Sequence, residues 1–262
     1  MERTHEDSSK GLIRVLFCGS HFPSSHNYTS EYLLNYPFVQ VDVVPCEDVP
    51  KVISNYHICV TKMMKFDFDL ISRASQMKLI VQFGVGLDGV DVDAATKLGI
   101  KVARIPSGVT GNAMSCAEMA IYLMLGLLRK QKEMQIAVDH KKLGEPTGDT
   151  LLGKTVGVVN KSFLSSMRKG SLLVNVARGR LLDYQSTLHS LESGHLGGLG
   201  IDVAWTEPFD PDDPILKFNN VIFTPHVAGV TEHSYRSMAK VIGDVALQIH
   251  AGSPMTGIEF VN

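Results

Sequence analysis

The sequence predicts an α/β protein built on parallel sheets, and three observations support that class. Short β-branched and aliphatic runs alternate along the chain with helix-like polar segments, the βαβ rhythm of a parallel sheet. A length of 262 residues at 44% hydrophobic and 20% charged composition suffices for one large or two modest domains, each with a real core. A turn-rich segment, LGEPTGD at 143–149, is the best candidate for a boundary between two halves.

Taken in order, the first half offers strands IRVLF (13–17), VDVV (41–44), HICV (57–60), KLIVQF (78–83) and KVARI (101–105). After the small-residue turn Ser107-Gly108, Ile121, Leu125 and Leu128 recur at helical spacing. The pattern runs to about Val138 and predicts one long helix whose Met and Leu stripe suits a core or a dimer face. The second half reads as strand 154–159, helix 160–170, strand 171–177, helix 183–194, strand 196–204, strand 220–226 and a final helix to about His250.

Composition excludes several classes of partner. With 25 Lys and Arg against 27 Asp and Glu, no basic stripe recommends a nucleic acid or an anionic membrane. The opening MERTHEDSSK has no apolar core, and the longest uncharged apolar run, Met119 to Leu128, is far short of a bilayer span. A cytoplasmic protein without a membrane partner is expected. Four cysteines without a C-x-x-C pair, and ten histidines without H-E-x-x-H, predict no metal site, no disulfide framework and buried reduced thiols. The sequon at Asn27 is read as chance.

Two phosphate motifs exist on paper. GDTLLGKT (148–155) has P-loop spacing, but a turn precedes it and a strand is expected after it, whereas the chemistry needs a strand before and a helix N-terminus after. It is rejected. GVGLDG (84–89) fits G-x-G-x-x-G after a strand and before a helix, yet no Asp or Glu stands between Ala94 and Ala117 to hold a ribose. A tight βα turn and an anion-binding loop are equally good readings of it.

Longer motifs carry a resemblance over nearly the whole chain. QFGVGLDGVD (82–91), GNAMSCAEMAIYLMLGLLR (111–129, with Asn112 and Glu118), LLGKTV (151–156), NVARG (175–179), DVAWTEP (202–208) and TPHVAG (224–229) occur in that order. Together they resemble the D-isomer-specific 2-hydroxyacid dehydrogenases. The resemblance implies a flavodoxin-like parallel-sheet substrate domain over 1–105 plus the C-terminal helix at about 231–262. It also implies a truncated Rossmann-type cofactor domain over 106–230.

The same resemblance assigns roles. Val85 and Gly86 would hold a substrate carboxylate through backbone N–H groups. Arg178 would clamp carboxylate and carbonyl with its planar fork. His226 would act as acid and base, with Glu207 stabilising its imidazolium. Val176, Ala177, Asp202, Val227, Ala228 and Gly229 would meet the nicotinamide end of NAD or NADP. Arg178, Glu207 and His226 lie 29 and 19 residues apart, each after a predicted strand, where open α/β sheets put their sites.

One part of the pattern is missing. After LLGKTV the family has G-x-G-x-x-G, but this chain continues GVVNKSFLSSMRKG (157–170), with Val159 and Ser162 where glycines are needed. Two βα units at ~30 residues each, about 60 or more residues, are expected to be absent. In the sheet order 3-2-1-4-5-6 that loss removes strands 2 and 3 and leaves 1, 4, 5 and 6. Cofactor binding is therefore expected to be weak or absent. The expected function is an impaired or inactive NAD(P)-dependent dehydrogenase of a small 2-hydroxy or 2-keto acid, homodimeric through the helix near 112–138. The alternatives are a non-catalytic, dimerising interaction protein of the splice-variant kind, and a truncated product that folds poorly.

Overall fold

The structure, a computed structural model, describes residues 11–84, 86, 87, 89–155 and 166–262. The chain divides into two compact units, one running up to Asn112 and resuming over Glu232–Asn262, the other Ala113–Thr231.

The first unit begins β1 (Ile13–Cys18), α1 (Ser24–Tyr32), β2 (Val39–Val44), α2 (Val49–Val52), β3 (Ile58–Thr61), α3 (Phe68–Ser72), β4 (Leu79–Gln82), α4 (Val92–Lys97), β5 (Lys101–Arg104) and α5 (Ser107–Thr110). Strands β2-β1-β3-β4-β5 pair in parallel in that order, the flavodoxin-like arrangement. Every residue of β3 and β4 is buried, which explains why they read as unbroken apolar runs: a parallel sheet covered on both faces has no polar side. Asp67 and Asp91 cap α3 and α4, accepting from Leu70 N–H at 3.0 Å and Ala94 N–H at 2.9 Å.

The second unit contains α6 (Asn112–Leu128, its first residue assigned to the first unit), α7 (Gln131–Asp139), β6 (Ser171–Asn175), α8 (Tyr184–Glu192), β7 (Leu196–Ile201) and β8 (Val221–Phe223). Among the described residues its sheet is β6-β7-β8, all parallel. The glycines of β7 decide how α6 packs. A Cβ at Gly200 would lie 2.9 Å from the Leu123 Cβ, so only a strand without side chains on that face lets the helix seat this closely. Leu123 and Leu127 fill the space with Ile222 of β8.

The single long helix expected over 112–138 is corrected to two. Lys130 takes a left-handed φ of 55° between α6 and α7. The Leu128 carbonyl, which would receive Lys132 N–H in a continuous helix, instead accepts Asp149 N–H at 2.7 Å. Lys132 turns its ammonium to the carbonyls of Leu216 (3.1 Å) and Phe218 (2.9 Å). The 143–149 segment thus packs inside the second unit, against the end of α6. Of the strand expected at 154–159, Lys154 and Thr155 are irregular. Its remaining residues, and 160–165 of the expected helix, lie outside the described residues.

The chain then returns to the first unit through α9 (Glu232–Ala251) and β9 (Glu259–Phe260). α9 lies on α1, where Tyr32 Oη donates to Asp244 at 2.6 Å and Arg236 pairs with Glu31 at 3.0 Å. β9 runs antiparallel to β5, and the side chain of Asn262 closes that edge by accepting from Val102 N–H at 2.7 Å. No periodic signal marks a two-residue strand, so β9 was not visible in the sequence. No helix among the described residues is long and apolar enough to cross a membrane. Nor do the described residues contain a group of three His, Cys, Asp or Glu suited to a metal ion. All four cysteines are free thiols.

Candidate active site

In the second unit the three motifs begin where the three parallel strands end. β6 ends at Asn175, opening the NVARG turn; β7 ends at Ile201, before Asp202; β8 ends at Phe223, before Thr224 and His226. A parallel sheet brings all its carboxyl ends to one edge, so register alone puts these turns side by side.

Asn175, which sequence reasoning did not single out, shapes the first turn. It is buried, its Oδ1 accepts from Ala177 N–H at 3.0 Å and its Nδ2 donates to the Arg178 carbonyl at 2.9 Å. Arg178 itself is exposed and extended, with Nη1 donating to the Ala177 carbonyl at 2.7 Å. Gly179 follows because the chain passes very close here: a Cβ would stand 2.1 Å from the Ala204 carbonyl oxygen. The Arg178 turn is thereby pressed onto the 204–205 segment that leads to Glu207. Trp205 Nε1 ties the same two turns together by donating to the Leu182 carbonyl at 2.8 Å.

Asp202 organises the histidine turn. It is fully buried, and its carboxylate accepts from Thr224 Oγ1 (2.6 Å), Val227 N–H (2.9 Å) and Ala228 N–H (2.8 Å). Its own carbonyl accepts from His226 N–H at 2.8 Å. Held this way, His226 adopts a φ of 56°, a conformation that a β-substituted residue enters only when its surroundings over-determine it. Such strain is typical of a side chain aimed for a purpose.

The aim is toward Glu207. His226 Nδ1 and Glu207 Oε2 are 2.8 Å apart, and the other carboxylate oxygen accepts from Ala204 N–H at 3.2 Å, so the carboxylate is fixed before it meets the ring. The two side chains retain 35% and 20% of their surface, enough to leave the pair in reach of solvent or a small ligand. A ring nitrogen oriented by a carboxylate is the arrangement of a general acid and base. Cys116 of α6 is a second unanticipated neighbour. Burial raises its thiol, the charge of Asp202 adds to that, and Arg178 acts in the opposite direction.

The remaining assigned residues fall as follows. Val176 is half-buried against α6, Ala177 N–H is spent on Asn175, and Val227 and Ala228 N–H on Asp202. Gly229 lies in the same turn. In the first unit, the loop after β4 is anchored by Phe83 N–H on Thr61 (2.9 Å) and by Phe66 N–H on Gly89 (2.7 Å). Gly86 is half-buried in it, and Val85 lies outside the described residues. The P-loop-like segment has its lysine paired internally, Lys154 to Asp149 at 2.5 Å.

Known proteins match this arrangement. The family model described as D-isomer specific 2-hydroxyacid dehydrogenase, NAD binding domain, matches residues 150–228. A D-3-phosphoglycerate dehydrogenase of Archaeoglobus fulgidus is 27% identical over 278 positions, covering 80% of this chain and 52% of the relative. A glyoxylate reductase of Thermofilum pendens is 25% identical over 250 positions, covering 68% and 73%. The chain spans about half the length of the D-3-phosphoglycerate dehydrogenases of Archaeoglobus fulgidus and Bacillus subtilis. The 278 positions take in only about 210 residues of this chain, and the 250 only about 178, so about 70 positions of each relative face nothing here, near the length of two ~30-residue βα units.

Among solved structures, D-2-hydroxyisocaproate dehydrogenase superposes with a TM-score of 0.73 at 18% identity, over 93% of this chain and 99% of the other. The pyruvate reductase of Chlamydomonas reinhardtii gives 0.75 at 20%, over 94% and 98%. The fold they share is the two-domain α/β arrangement built here from a flavodoxin-like sheet and a smaller parallel one. The family match covers the three strand-end turns of the second unit, where the His226–Glu207 pair sits, and over residues 150–228 the chain is similar to the NAD binding domain of the D-isomer-specific 2-hydroxyacid dehydrogenases.

Proposed function

We propose that this chain keeps the acid–base end of a 2-hydroxyacid dehydrogenase and lacks the adenosine end of its cofactor site, so that NAD(P)-dependent turnover is impaired or abolished. The observation that carries the reading is the His226–Glu207 pair at 2.8 Å, held by a buried Asp202. In this reading 1–105 with 231–262 is the substrate domain and 106–230 the truncated cofactor domain. Val85 and Gly86 hold the substrate carboxylate, and Arg178 orients it. His226 holds the proton that moves to or from the substrate oxygen, and Glu207 sets the orientation of the ring. The substrate class is a small 2-hydroxy or 2-keto acid. Glyoxylate and 3-phosphoglycerate, named for the relatives, are the first to try.

A complete dinucleotide does not fit the residues present. No G-x-G-x-x-G follows LLGKTV. Asp202, assigned to the nicotinamide end by resemblance, has no exposed surface and spends its carboxylate on the His226 turn. A dinucleotide bound at ~1 μM is held by about 8 kcal/mol, and losing half of that leaves a dissociation constant near 1 mM. The test is fluorescence titration with NADH and NADPH at tens of micromolar, together with NAD(P)H oxidation in the presence of glyoxylate, pyruvate and hydroxypyruvate. Neither binding nor oxidation above background is expected. Tight binding with turnover abolished by His226→Ala would overturn the reading.

A second reading has its own observation. Met114, Ile121, Tyr122 and Leu125 of α6, and Met134 and Ile136 of α7, are exposed apolar side chains on two successive helices. They support a non-catalytic protein that dimerises through this surface. Sedimentation velocity on the same sample tests this second reading: a monomer at micromolar concentration overturns it.

A further inference from the structure

Three of the chain's four cysteines lie in the first unit, and the proposed chemistry uses none of them. Cys18 is the last residue of β1, Cys59 lies inside β3, and Cys46 follows the end of β2. Because β1 runs between β2 and β3, three separate stretches of sequence converge on the end of one strand.

Register fixes the closest pair. Leu16 and Cys59 are partners across β1 and β3, and side chains alternate along a strand, so Cys18 shares a sheet face with Cys59 and is its diagonal neighbour. The two sulfurs are 3.0 Å apart. A disulfide bond is ~2.0 Å long, so about 1 Å of approach would close it. Both side chains pack in the apolar cluster with Leu16, Val49, Ile53 and Ile80. Cys46 stands on the other side of the strand end, its sulfur against Gly19, where a Cβ would meet it at 2.8 Å.

The surroundings distinguish the two paired thiols. Cys59 is sealed, with no exposed surface, and burial followed by the hydrogen bond and charge of Cys18 holds its thiol well above the ordinary range. Cys18 keeps 2% of its surface at the open end of its strand. The sulfur of Cys18 lies near enough to the Lys62 ammonium to strengthen that lysine's hold on its proton. An adjacent lysine is a setting in which a cysteine sulfur reacts as a nucleophile. Cys18 is therefore the sulfur that a water-sized oxidant meets first, with Cys59 behind it.

Diagonal neighbours are wider apart than opposite ones, so joining them needs some backbone movement. Cys18 has that freedom at a strand end, since Gly19 continues the chain at a φ of 87°. A bond closed in this way is one that thiol reductants readily reverse.

We propose that Cys18 and Cys59 are a redox-active dithiol that hydrogen peroxide converts to a disulfide in the folded protein. The Cys18 sulfur attacks one peroxide oxygen: the S–O bond forms, the O–O bond breaks, and the departing hydroxide takes the thiol proton and leaves as water. Cys59 then attacks the sulfenic sulfur of Cys18: the S–S bond forms, the S–O bond breaks, and hydroxide leaves with the Cys59 proton as a second water. The two thiols lose two electrons and the peroxide gains them. A dithiol reductant reverses the bond by exchange and ends as the disulfide itself. This inference does not depend on hydride chemistry in the second unit.

The experiment exposes the full chain to excess hydrogen peroxide at neutral pH, checks by circular dichroism that it stays folded, and then alkylates it in urea. Peptide mapping without reductant is expected to show Cys18 joined to Cys59 within one chain, with two of the four thiols lost to the alkylating reagent and restored by dithiothreitol. In Cys59→Ala the second sulfur is gone, and dimedone should capture a sulfenic acid at Cys18. Cys46→Ser and Cys116→Ser should leave the cross-link at its wild-type yield. A wild-type link through Cys46 or Cys116, a link between chains, or sulfinic acid at Cys18 beside a free Cys59 overturns the proposal. So does a folded wild type that keeps all four thiols. The wild-type map decides the matter even where a variant does not fold.

Discussion

In the first unit the sheet itself places the strand-end residues. Thr61 and Gln82 are register partners on β3 and β4, so Lys62 and the loop after β4 emerge side by side from two strands buried along their whole length. In the second unit β6 is only partly buried, and the described sheet has three strands. There the turns are placed by polar side chains: buried Asn175 for Arg178, buried Asp202 for His226, and the partly buried Glu207, through Oε1, for its own loop. A broad ladder positions a loop through many cooperative backbone bonds, whereas a narrow one depends on a few side chains, each costly to remove.

The largest expected effect tests that dependence. Asp202→Ala leaves a hydroxyl and two N–H groups without acceptors inside the protein, costing about 3–6 kcal/mol. Trp205, the single tryptophan, lies in the second unit and reports its unfolding in urea by fluorescence. An unmoved transition would mean that the sheet, and not Asp202, holds the turn.

The next effect has the opposite sign and belongs to the first unit. Lys62 binds its proton with a value of about 8 when folded, against 10.5 for the ordinary lysine. Below pH 8 both states are protonated and the folded state bears the burial cost. Between 8 and 10.5 the unfolded chain binds more protons, so this contribution makes the wild type more stable as pH rises. In anion-free buffer Lys62→Met should therefore stabilise the first unit by about 1–2 kcal/mol at pH 7, after allowing for its lost hydrogen bonds. Exchange rates of the β3 amides measure it, and the advantage over wild type should fade toward pH 10. An advantage independent of pH would show that packing, not charge, is responsible.

The smallest effect separates positioning from stability within the second unit. Glu207→Gln keeps the side chain's shape and removes the charge from a partly exposed pair, so Trp205-monitored unfolding should shift by less than about 1 kcal/mol. A loss as large as that for Asp202→Ala would make Glu207 a structural prop and weaken the case for the acid–base pair.

The strands were legible because a buried parallel strand is an unbroken apolar run, and β1, β3, β4 and β7 begin within a residue of where those runs begin. The strand-end turns were legible as motifs, since Arg178, Glu207 and His226 sit in short stretches of distinctive composition. The break at Lys130 was not, because helical periodicity continues across it and only Asp149, nineteen positions on, takes the Leu128 carbonyl. Asn175 was passed over as an ordinary strand-end residue, and Lys62 as an ordinary lysine.

By itself the sequence determined the alternation of strand and helix, the order of the motifs and the lack of a glycine fingerprint after LLGKTV, all of them properties of neighbouring residues. Only the tertiary structure decided that Asp202 serves the His226 turn, that His226 is held at a positive φ against Glu207, and that Lys62 sits beside the His21 carbonyl, Ser25 and the Phe17 and Phe22 rings. Each of these depends on groups separated by many positions along the chain. Burial and hydrogen bonding act on distance in space, which local pattern does not encode.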